Sequence, residues 1–365
     1  MADHEDGAGG PPEVSARQKF NCPACGAEAN WNPARQLLVC PYCGAESPWT
    51  LQTRQAGTVI AEHDLAAAIG AIPASARGWN AKKTSVRCES CRAISVFDPE
   101  KIGSRCEFCG SAALVPYEQV EDLFRPESLL PLKIDEGRAR DLIRAWYRHQ
   151  WLAPNTFSAK ALTDTVRGIY LPYWTFDANA DATWTADSGD YYYVTINRRR
   201  VRQVRWRAVS GALSHRFDDD LVCASVGVDP GKLRRVESFP TDTLVPYDPG
   251  YLAGWTVERY QIDLVAAAER SREQMNAELR QMCAARVPGD THRNLIVHAT
   301  FTEQTFKHML APVWLMTYIY RASSYQVVVN GVTGEVAGSR PWSWVKITLL
   351  VILALIIFAI YASNS

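Results

Sequence analysis

Residues 22–43 read CPACGAEANWNPARQLLVCPYC, and the spacing of their cysteines recurs 66 residues further along the chain. In each copy, two cysteines separated by two residues are followed, after fourteen residues, by a second such pair. Two tight turns that each carry two thiols complete a tetrahedral four-thiolate site for zinc. We therefore predict two zinc ribbons. The ligands of the first zinc ion are Cys22, Cys25, Cys40 and Cys43, and those of the second are Cys88, Cys91, Cys106 and Cys109.

Cysteines also occur in proteins as disulfide bonds and as free core thiols. Disulfide frameworks are typical of secreted chains, and the first twelve residues have neither the basic start nor the apolar segment of a signal peptide. A zinc ion held by four thiolates has no open coordination position, so both sites are predicted to be structural. Gly26, Gly44 and Gly110 follow three of the four Cys-x2-Cys turns, where a positive φ favours glycine.

The composition indicates a β-rich chain without charge bias. Among its 365 residues, lysine plus arginine and aspartate plus glutamate both number 39, which gives no electrostatic preference for nucleic acid or anionic lipid. Twelve tryptophans and fifteen tyrosines favour aromatic-rich β structure.

After the second ribbon, the order of helix, strands, helix and strands predicts an α+β domain with a largely antiparallel sheet. We predict helices at residues 135–150 and 262–285. Asp187-Ser-Gly-Asp190 and Asn330-Gly-Val-Thr-Gly334 are predicted hairpin turns. The predicted segments are a disordered leader (1–17), the first zinc ribbon (18–49), a linker with a short helix (50–84), the second zinc ribbon (85–117), the α+β domain (118–341) and a transmembrane helix (342–362).

The last of these segments has the features of a membrane anchor. Its 21 residues contain one charge, Lys346, and would span about 31 Å as a helix, which matches a hydrocarbon core of about 30 Å. Trp342, Trp344 and Tyr361 lie near its ends, as interfacial aromatic residues do. Arg340 and Lys346 lie at its N-terminal end. The positive-inside rule then predicts a single-pass protein of the inner (cytoplasmic) membrane, with its N-terminal domains in the cytoplasm.

The sequence offers few candidates for catalysis. The phosphate-binding loop and the common hydrolase and metalloprotease motifs are absent. His215 with Asp218, Asp219 and Asp220 could hold a divalent metal, but we favour a polar turn between two strands. Cys223 and Cys283 are interpreted as small core residues. We therefore expect no enzyme activity, no catalytic residues and no cofactor other than zinc.

Residues 198–207 are unusually rich in arginine. The six arginines are Arg198, Arg199, Arg200, Arg202, Arg205 and Arg207, with Trp206 among them. Arginine beside an aromatic residue suits single-stranded nucleic acid or an anionic membrane surface. A solvated strand neutralised by Asp218–Asp220 is the alternative. The zero net charge favours that alternative, or a protein-docking role, over nucleic acid.

Several motifs together resemble a bacterial family of tail-anchored, double-zinc-ribbon membrane proteins of the TFIIB-type ribbon class. The resemblance covers about residues 20–345. It is carried by the paired ribbons and by four motifs: Gly168-Ile-Tyr-Leu-Pro-Tyr-Trp-Thr-Phe-Asp177, Arg205-Trp206 before Ser210-Gly211, Tyr251-Leu-Ala-Gly-Trp255 and Val329-Asn-Gly-Val-Thr-Gly-Glu335. Some members carry primosomal or helicase names, and some are encoded beside SPFH-type or phage-shock genes.

The resemblance implies a protein that tethers partners to a membrane, and it implies no catalytic residues. We therefore expect a non-enzymatic, membrane-anchored adaptor or scaffold that docks protein partners at the cytoplasmic face. The alternative is a membrane-tethered nucleic-acid-binding protein that uses the zinc ribbons and the arginines of residues 198–207. No small-molecule substrate is expected.

Overall fold

The computed structural model describes residues 20–46, 60–70, 84–90, 93–97, 106, 108, 114–117, 124–154, 166–196, 198–320 and 323–363. The predicted leader (1–17), Cys91 and Cys109 lie outside these residues. In the C-terminal helix, side-chain surroundings are described up to Phe358 and again at Tyr361.

The secondary structure alternates short strands, long strands and helices. The N-terminal elements are β1 (Asn30–Asn32), β2 (Leu37–Val39), β3 (His63–Asp64), α1 (Leu65–Gly70), β4 (Thr84–Cys88), β5 (Ile94–Phe97), β6 (Leu114–Tyr117), β7 (Ser128–Leu129) and α2 (Glu136–Arg148). They are followed by β8 (Val166–Ile196), β9 (Arg199–Cys223), α3 (Pro230–Leu233), β10 (Val245–Pro246), β11 (Thr256–Glu258), α4 (Leu264–Arg286), β12 (Thr291–Tyr320), β13 (Ser323–Asn330), β14 (Val336–Gly338) and α5 (Trp344–Ser363).

Two long antiparallel strands, β8 and β12, are the central strands of the main sheet. Their pairing runs from Val166 opposite Met316 to Gly189 opposite Thr291. The outer edge of β8 pairs with β11 and then β9, and that of β12 pairs with β3, β7 and β13. The predicted α+β class with a largely antiparallel sheet is therefore confirmed. The order of one helix and two long strands occurs twice, as α2, β8 and β9 and then as α4, β12 and β13.

The predicted hairpin turn at Asp187-Ser-Gly-Asp190 is wrong. These residues lie inside β8, and the chain reverses instead between Ile196 and Arg199, with Arg198 at a φ of 61°. The carboxylate of Asp187 accepts a hydrogen bond from Arg293, and the hydroxyl of Ser188 donates one to the carbonyl of Pro288. These contacts with distant parts of the chain hold the segment extended.

Helix α4 covers one face of the long strands. Its buried residues recur at intervals of about four, at Ala267, Ser271, Met275, Leu279 and Cys283. The facing residues of β8 alternate in and out, and four of the buried ones are alanines, which allow the helix to approach closely. These alanines are Ala178, Ala180, Ala182 and Ala186. The opposite face of this part of β8 is exposed.

The C-terminal helix α5 begins beside the loop after α2, where the Nζ of Lys346 donates hydrogen bonds to the carbonyls of Trp151 and Ala153. From Leu349 to Phe358, all of its large apolar side chains are exposed. Over the described residues, none of the helices has both the length and the apolarity that a membrane crossing needs. The predicted transmembrane span at residues 342–362 is therefore not supported by this structure.

Candidate metal centre and the arginine arm

The four cysteines of the first ribbon form a cluster suited to a metal ion. Their Sγ atoms all lie within 4.8 Å of one another. Cys22 and Cys43 are separated by 3.6 Å between sulfurs, and Cys25 and Cys40 by 3.5 Å. Four sulfurs bound tetrahedrally at about 2.3 Å from one zinc ion would be roughly 3.8 Å apart. The donor set and its spacing therefore fit a four-thiolate metal site.

The two turns that carry these thiols have the same backbone geometry. The N–H of Gly26 donates to the carbonyl of Cys22, and the N–H of Gly44 donates to that of Cys40. Both glycines have positive φ, 75° and 71°, which confirms the prediction for these two positions. The backbone N–H groups of Cys43 and Tyr42 lower the pKa of the Cys40 thiol to about 7. The backbone N–H of Ala27 lowers the pKa of Cys25, but the neighbouring thiols of Cys40 and Cys43 outweigh it and raise this pKa to about 12, so without a metal the cluster shares its protons unequally.

The second cysteine module repeats details of the first. The N–H of Cys22 donates to the carbonyl of Ala27, and 66 residues later the N–H of Cys88 donates to that of Ala93. The N–H of Phe108 donates to the Sγ of Cys106, at the position that corresponds to Tyr42 and Cys40. Cys88 and Cys106 are both buried. Two of the four predicted ligands of the second site thus lie in the expected local structure.

The first ribbon is docked on the main domain through Trp31. This side chain is buried and packs edge-on against Tyr251, with 4.6 Å between ring centroids. Its backbone N–H donates to the carbonyl of Ala253, and its indole N–H donates to that of Leu132. The ribbon therefore shares a hydrophobic core with the sheet.

The second ribbon is joined to the sheet itself. Strand β5 pairs with β11, which lies parallel to the start of β8. Phe108 is completely buried, and its carbonyl accepts hydrogen bonds from Thr317 of β12 and Gln326 of β13. By contrast, the corresponding Tyr42 of the first ribbon is 82% exposed. The second module is thus part of the domain's core.

The acidic run Asp218–Asp220 does not form a metal site with His215. It lies within β9 rather than in a turn between two strands, and Asp219 adopts a φ of 54° at a β-bulge. Asp219 pairs with Lys307, and Asp220 accepts a hydrogen bond from Ser271 of α4. Among the described residues, the cysteine cluster at 22–43 is the group of three or more potential ligands close enough to hold an ion.

Sequence reasoning missed a buried ionic cluster around Lys307. The Nζ of this lysine, 9% exposed, lies 2.8 Å from an Asp219 oxygen and 3.2 Å from a Glu62 oxygen. The hydroxyl oxygen of Thr305 lies 3.1 Å from an oxygen of Glu62 and 3.1 Å from an oxygen of Asp177. Burial lowers the pKa of Lys307, but Asp219 and Glu62 more than compensate and the pKa is raised. The one available signal was a lone lysine within the apolar strand β12.

A cavity of about 280 Å³ lies between the end of β9, α3 and α4. Burial raises the pKa of the Cys223 thiol that lines it, so this thiol stays protonated near neutral pH and supplies no thiolate nucleophile. Burial also raises the pKa of Glu237 to about 7. The charged residues that line the cavity are Arg234, Arg270, Glu237 and Glu273.

The arginine-rich stretch forms a protruding hairpin. We call residues 191–196 of β8 and 198–207 of β9 the arginine arm. The arm extends beyond the pairing of β8 with β12, which stops at Gly189 opposite Thr291. Arg200 lies over the ring of Tyr193 at 4.7 Å, and Arg202 lies over that of Tyr191 at 4.4 Å. The arm places six arginines within ten residues of one hairpin, at 198–200, 202, 205 and 207.

The comparisons with known proteins give one distant relative. No protein-family model matches the chain, and no solved structure matches it. The chain is similar to a protein of Bacillus subtilis (strain 168) named "Uncharacterized protein YdjG", with 23% identity over 234 residues. The match covers 61% of this chain and 65% of that protein, so the chain spans a little less than two thirds of the relative. That name specifies no activity or partner.

Proposed function

We propose that the protein is a non-enzymatic, membrane-anchored adaptor that docks protein partners at the cytoplasmic face of the inner membrane. The observation that carries the proposal is the placement of two unlike surfaces at opposite ends of β8. The apolar helix α5 attaches beside the loop that follows α2. Helix α2 packs in the same hydrophobic cluster as Val166, the first residue of β8. The arginine arm lies at the other end of the same strand. One surface suits an apolar environment, and the other suits a charged partner.

The ribbons stabilise this scaffold in the proposed function. We assign one structural zinc ion to Cys22, Cys25, Cys40 and Cys43 and a second to Cys88, Cys91, Cys106 and Cys109. Bound zinc supplies folding free energy to modules too small to form a sufficient core of their own. The support is the sulfur spacing in the first module and the matching backbone hydrogen bonds in the second.

Membrane placement rests on α5 and on the charges that flank it. Large apolar side chains exposed to water are unfavourable by about 25 cal/mol per Å², so a surface of this kind requires an apolar covering. Arg340 and Lys346 at the N-terminal side favour a cytoplasmic location for the preceding domains. The motif resemblance favours SPFH-type or phage-shock-type membrane proteins as the partners.

The nucleic-acid-binding alternative is favoured by a specific observation. The six arginines of the arm form no ion pair among the residues that the structure describes. Positive charge without internal neutralisation is available to phosphate groups as well as to carboxylates. This second candidate function must therefore be separated from the first by experiment.

Affinity capture of the intact protein from detergent-solubilised membranes tests the adaptor proposal. The capture is done with and without nuclease, beside a chain that ends at Arg340. We expect protein partners that survive nuclease, and we expect the shorter chain to leave the membrane fraction and lose them. Partners that disappear with nuclease would favour the nucleic-acid alternative. A shorter chain that stays in the membrane fraction would contradict anchoring by α5.

A further inference from the structure

The arginine arm carries a local excess of positive charge. Residues 191–207 contain six arginines and no aspartate or glutamate. The acidic residues 218–220 lie at the other end of β9, where Asp219 pairs with Lys307. Arg207 and Asp219 are twelve positions apart along this strand, which corresponds to about 40 Å. Asp190 lies opposite Arg205 at the base of the arm and is the nearest acidic residue in the hairpin. The arm therefore presents a net positive charge.

The arginines of the arm are held in position by aromatic rings. Tyr191 and Tyr193 lie on the same face of β8, because side chains alternate along a strand. Arg202 and Arg200 lie over these rings, and further down the same face Arg293 lies over Trp206 at 4.1 Å. A guanidinium that lies over a ring still has N–H groups that can bind a carboxylate through two parallel hydrogen bonds.

These pairs of rings and guanidinium groups lie on the face of the sheet that is not covered by α4, which we call the open face. The buried residues of β8 that contact α4, such as Trp184 and Ala186, point to the opposite face. Tyr193 is 57% exposed, and Arg200 and Arg202 are exposed. On the open face, the arginine side chains are thus already placed over the rings and remain accessible to a partner.

A simpler role for these charges is the protection of a strand edge. The outer edge of β9 has no neighbouring strand among the described residues, and charged side chains discourage such edges from pairing with other chains. Edge protection needs charge alone and does not require arginines stacked on rings. Edge protection would also require the same arrangement on both faces of the hairpin. On the other face, however, Arg205 lies 5.5 Å from the ring of Tyr192, a longer distance than in the two arginine–tyrosine pairs of the open face.

We propose that the open face of the arginine arm is the docking site for an acidic segment of a partner protein, rich in aspartate and glutamate. The inference rests on the adaptor function proposed above and names the chemistry of its partner. The basic part of the arm is short, since the nine residues of β9 from Arg199 to Arg207 extend about 30 Å. Acidic residues delimit it at its base, where Asp187 pairs with Arg293 and Asp290 accepts a hydrogen bond from the N–H of Tyr191.

Two observations favour a protein segment over single-stranded nucleic acid. Non-specific binders of single strands expose aromatic rings for bases to stack on, whereas here guanidinium groups lie on the rings of Tyr191, Tyr193 and Trp206. A phosphate backbone that continued along the open face of β8 would also meet the carboxylates of Asp187 and Asp181. A short acidic peptide avoids both problems.

The test compares two doubly substituted full-length chains that lose the same charge. One carries Arg200→Gln and Arg202→Gln on the open face, and the matched control carries Arg199→Gln and Arg205→Gln on the other face. The probes are a fluorescent oligoglutamate peptide and an unstructured RNA oligonucleotide, both measured by anisotropy in detergent. We expect the open-face variant to bind oligoglutamate about tenfold more weakly than the parent, and the control to change about twofold or less.

Three results would overturn the docking site. They are no binding of oligoglutamate by the parent, equal weakening in both variants, and tighter binding of RNA than of oligoglutamate. The failure of the adaptor proposal is a separate result. If affinity capture with the open-face variant keeps all nuclease-resistant partners, the adaptor stands and this docking site is wrong. If the parent captures none, the adaptor proposal itself is wrong.

Discussion

The indole Nε1 of Trp31 donates a hydrogen bond to the carbonyl oxygen of Leu132, at 3.3 Å, and so joins the first ribbon to the segment that precedes α2. The two residues are 101 positions apart. Gln36 of the same ribbon donates a second hydrogen bond to the same carbonyl, at 2.9 Å. The ribbon is therefore fixed to the domain by directional contacts as well as by apolar packing.

Substitution of Trp31 should weaken this attachment. We expect Trp31→Ala to destabilise the protein by about 3 kcal/mol or more, because it removes a buried indole and leaves a cavity. Trp31→Phe keeps most of the volume and should cost about 1 kcal/mol for the lost hydrogen bond. Thermal unfolding of the purified chain measures both. Tyr42→Ala, at an exposed position of the same ribbon, is the control and should change stability by less than about 0.5 kcal/mol.

Removal of Lys307 should destabilise the protein, because this side chain joins β12 to Asp219 of β9 and to Glu62. Lys307→Met leaves the carboxylates of Asp219 and Asp177 close together without their cation. Breaking a buried pair costs about 3–5 kcal/mol, and we expect about 2 kcal/mol here because Glu62 is partly exposed. Denaturant unfolding measures the change. The matched variant Arg144→Met breaks an exposed pair with Asp141 and should cost less than about 0.5 kcal/mol. Equal effects would contradict this account.

Features set by local sequence could be predicted. The Cys-x2-Cys turns with their glycines depend on a few adjacent residues, and they have the expected backbone. The two predicted helices at 135–150 and 262–285 correspond to α2 and α4, each of which begins after an aspartate whose side chain caps the first turn. The predicted turn at residues 330–334 joins β13 to β14, and in it Gly334 has a φ of 81°.

Features set by distant contacts could not be predicted. The sequence around Asp187 has the composition of a turn, but Arg293 and Asn294 of β12 bind its carboxylate and keep it in a strand. The partner of Asp219 is Lys307 on another strand, and Glu62, which completes that cluster, is 245 residues from Lys307. Nothing in the local pattern specifies such pairs. The cysteines of the first ribbon were predicted correctly as a cluster because their partners are near in sequence.

Substitution of Cys22 tests the metal centre. In our assignment the protein carries two zinc ions, so Cys22→Ser should lower its zinc content by about half, because one of four ligands is lost. Plasma emission spectroscopy of the purified chain measures zinc per protein. Cys223→Ser removes a thiol outside both modules and should leave the zinc content unchanged. Equal zinc in Cys22→Ser and the parent would contradict the first site.

Protonation of His308 should make stability depend on pH. This imidazole is fully buried, stacked on Trp174 at 4.7 Å, and burial lowers its pKa to about 4. In the unfolded chain its pKa is about 6.5, so between these values the unfolded state binds a proton that the folded state does not. The stabilisation is complete above pH ~6.5 and is lost as the pH falls towards 4, up to about 3 kcal/mol for this group.

The substitution His308→Phe isolates this contribution, because phenylalanine preserves the stack on Trp174 and does not titrate. Unfolding measured at neutral pH and near pH ~4.5 should show a smaller loss of stability in His308→Phe than in the parent, by about 2 kcal/mol. Buried carboxyl groups and the cysteine modules also respond to acid, but they do so equally in both chains and cancel in the difference. His298→Phe, at an exposed position on the same strand, should keep the parent's full pH dependence. If His308→Phe and the parent lose stability in parallel, His308 is not the source.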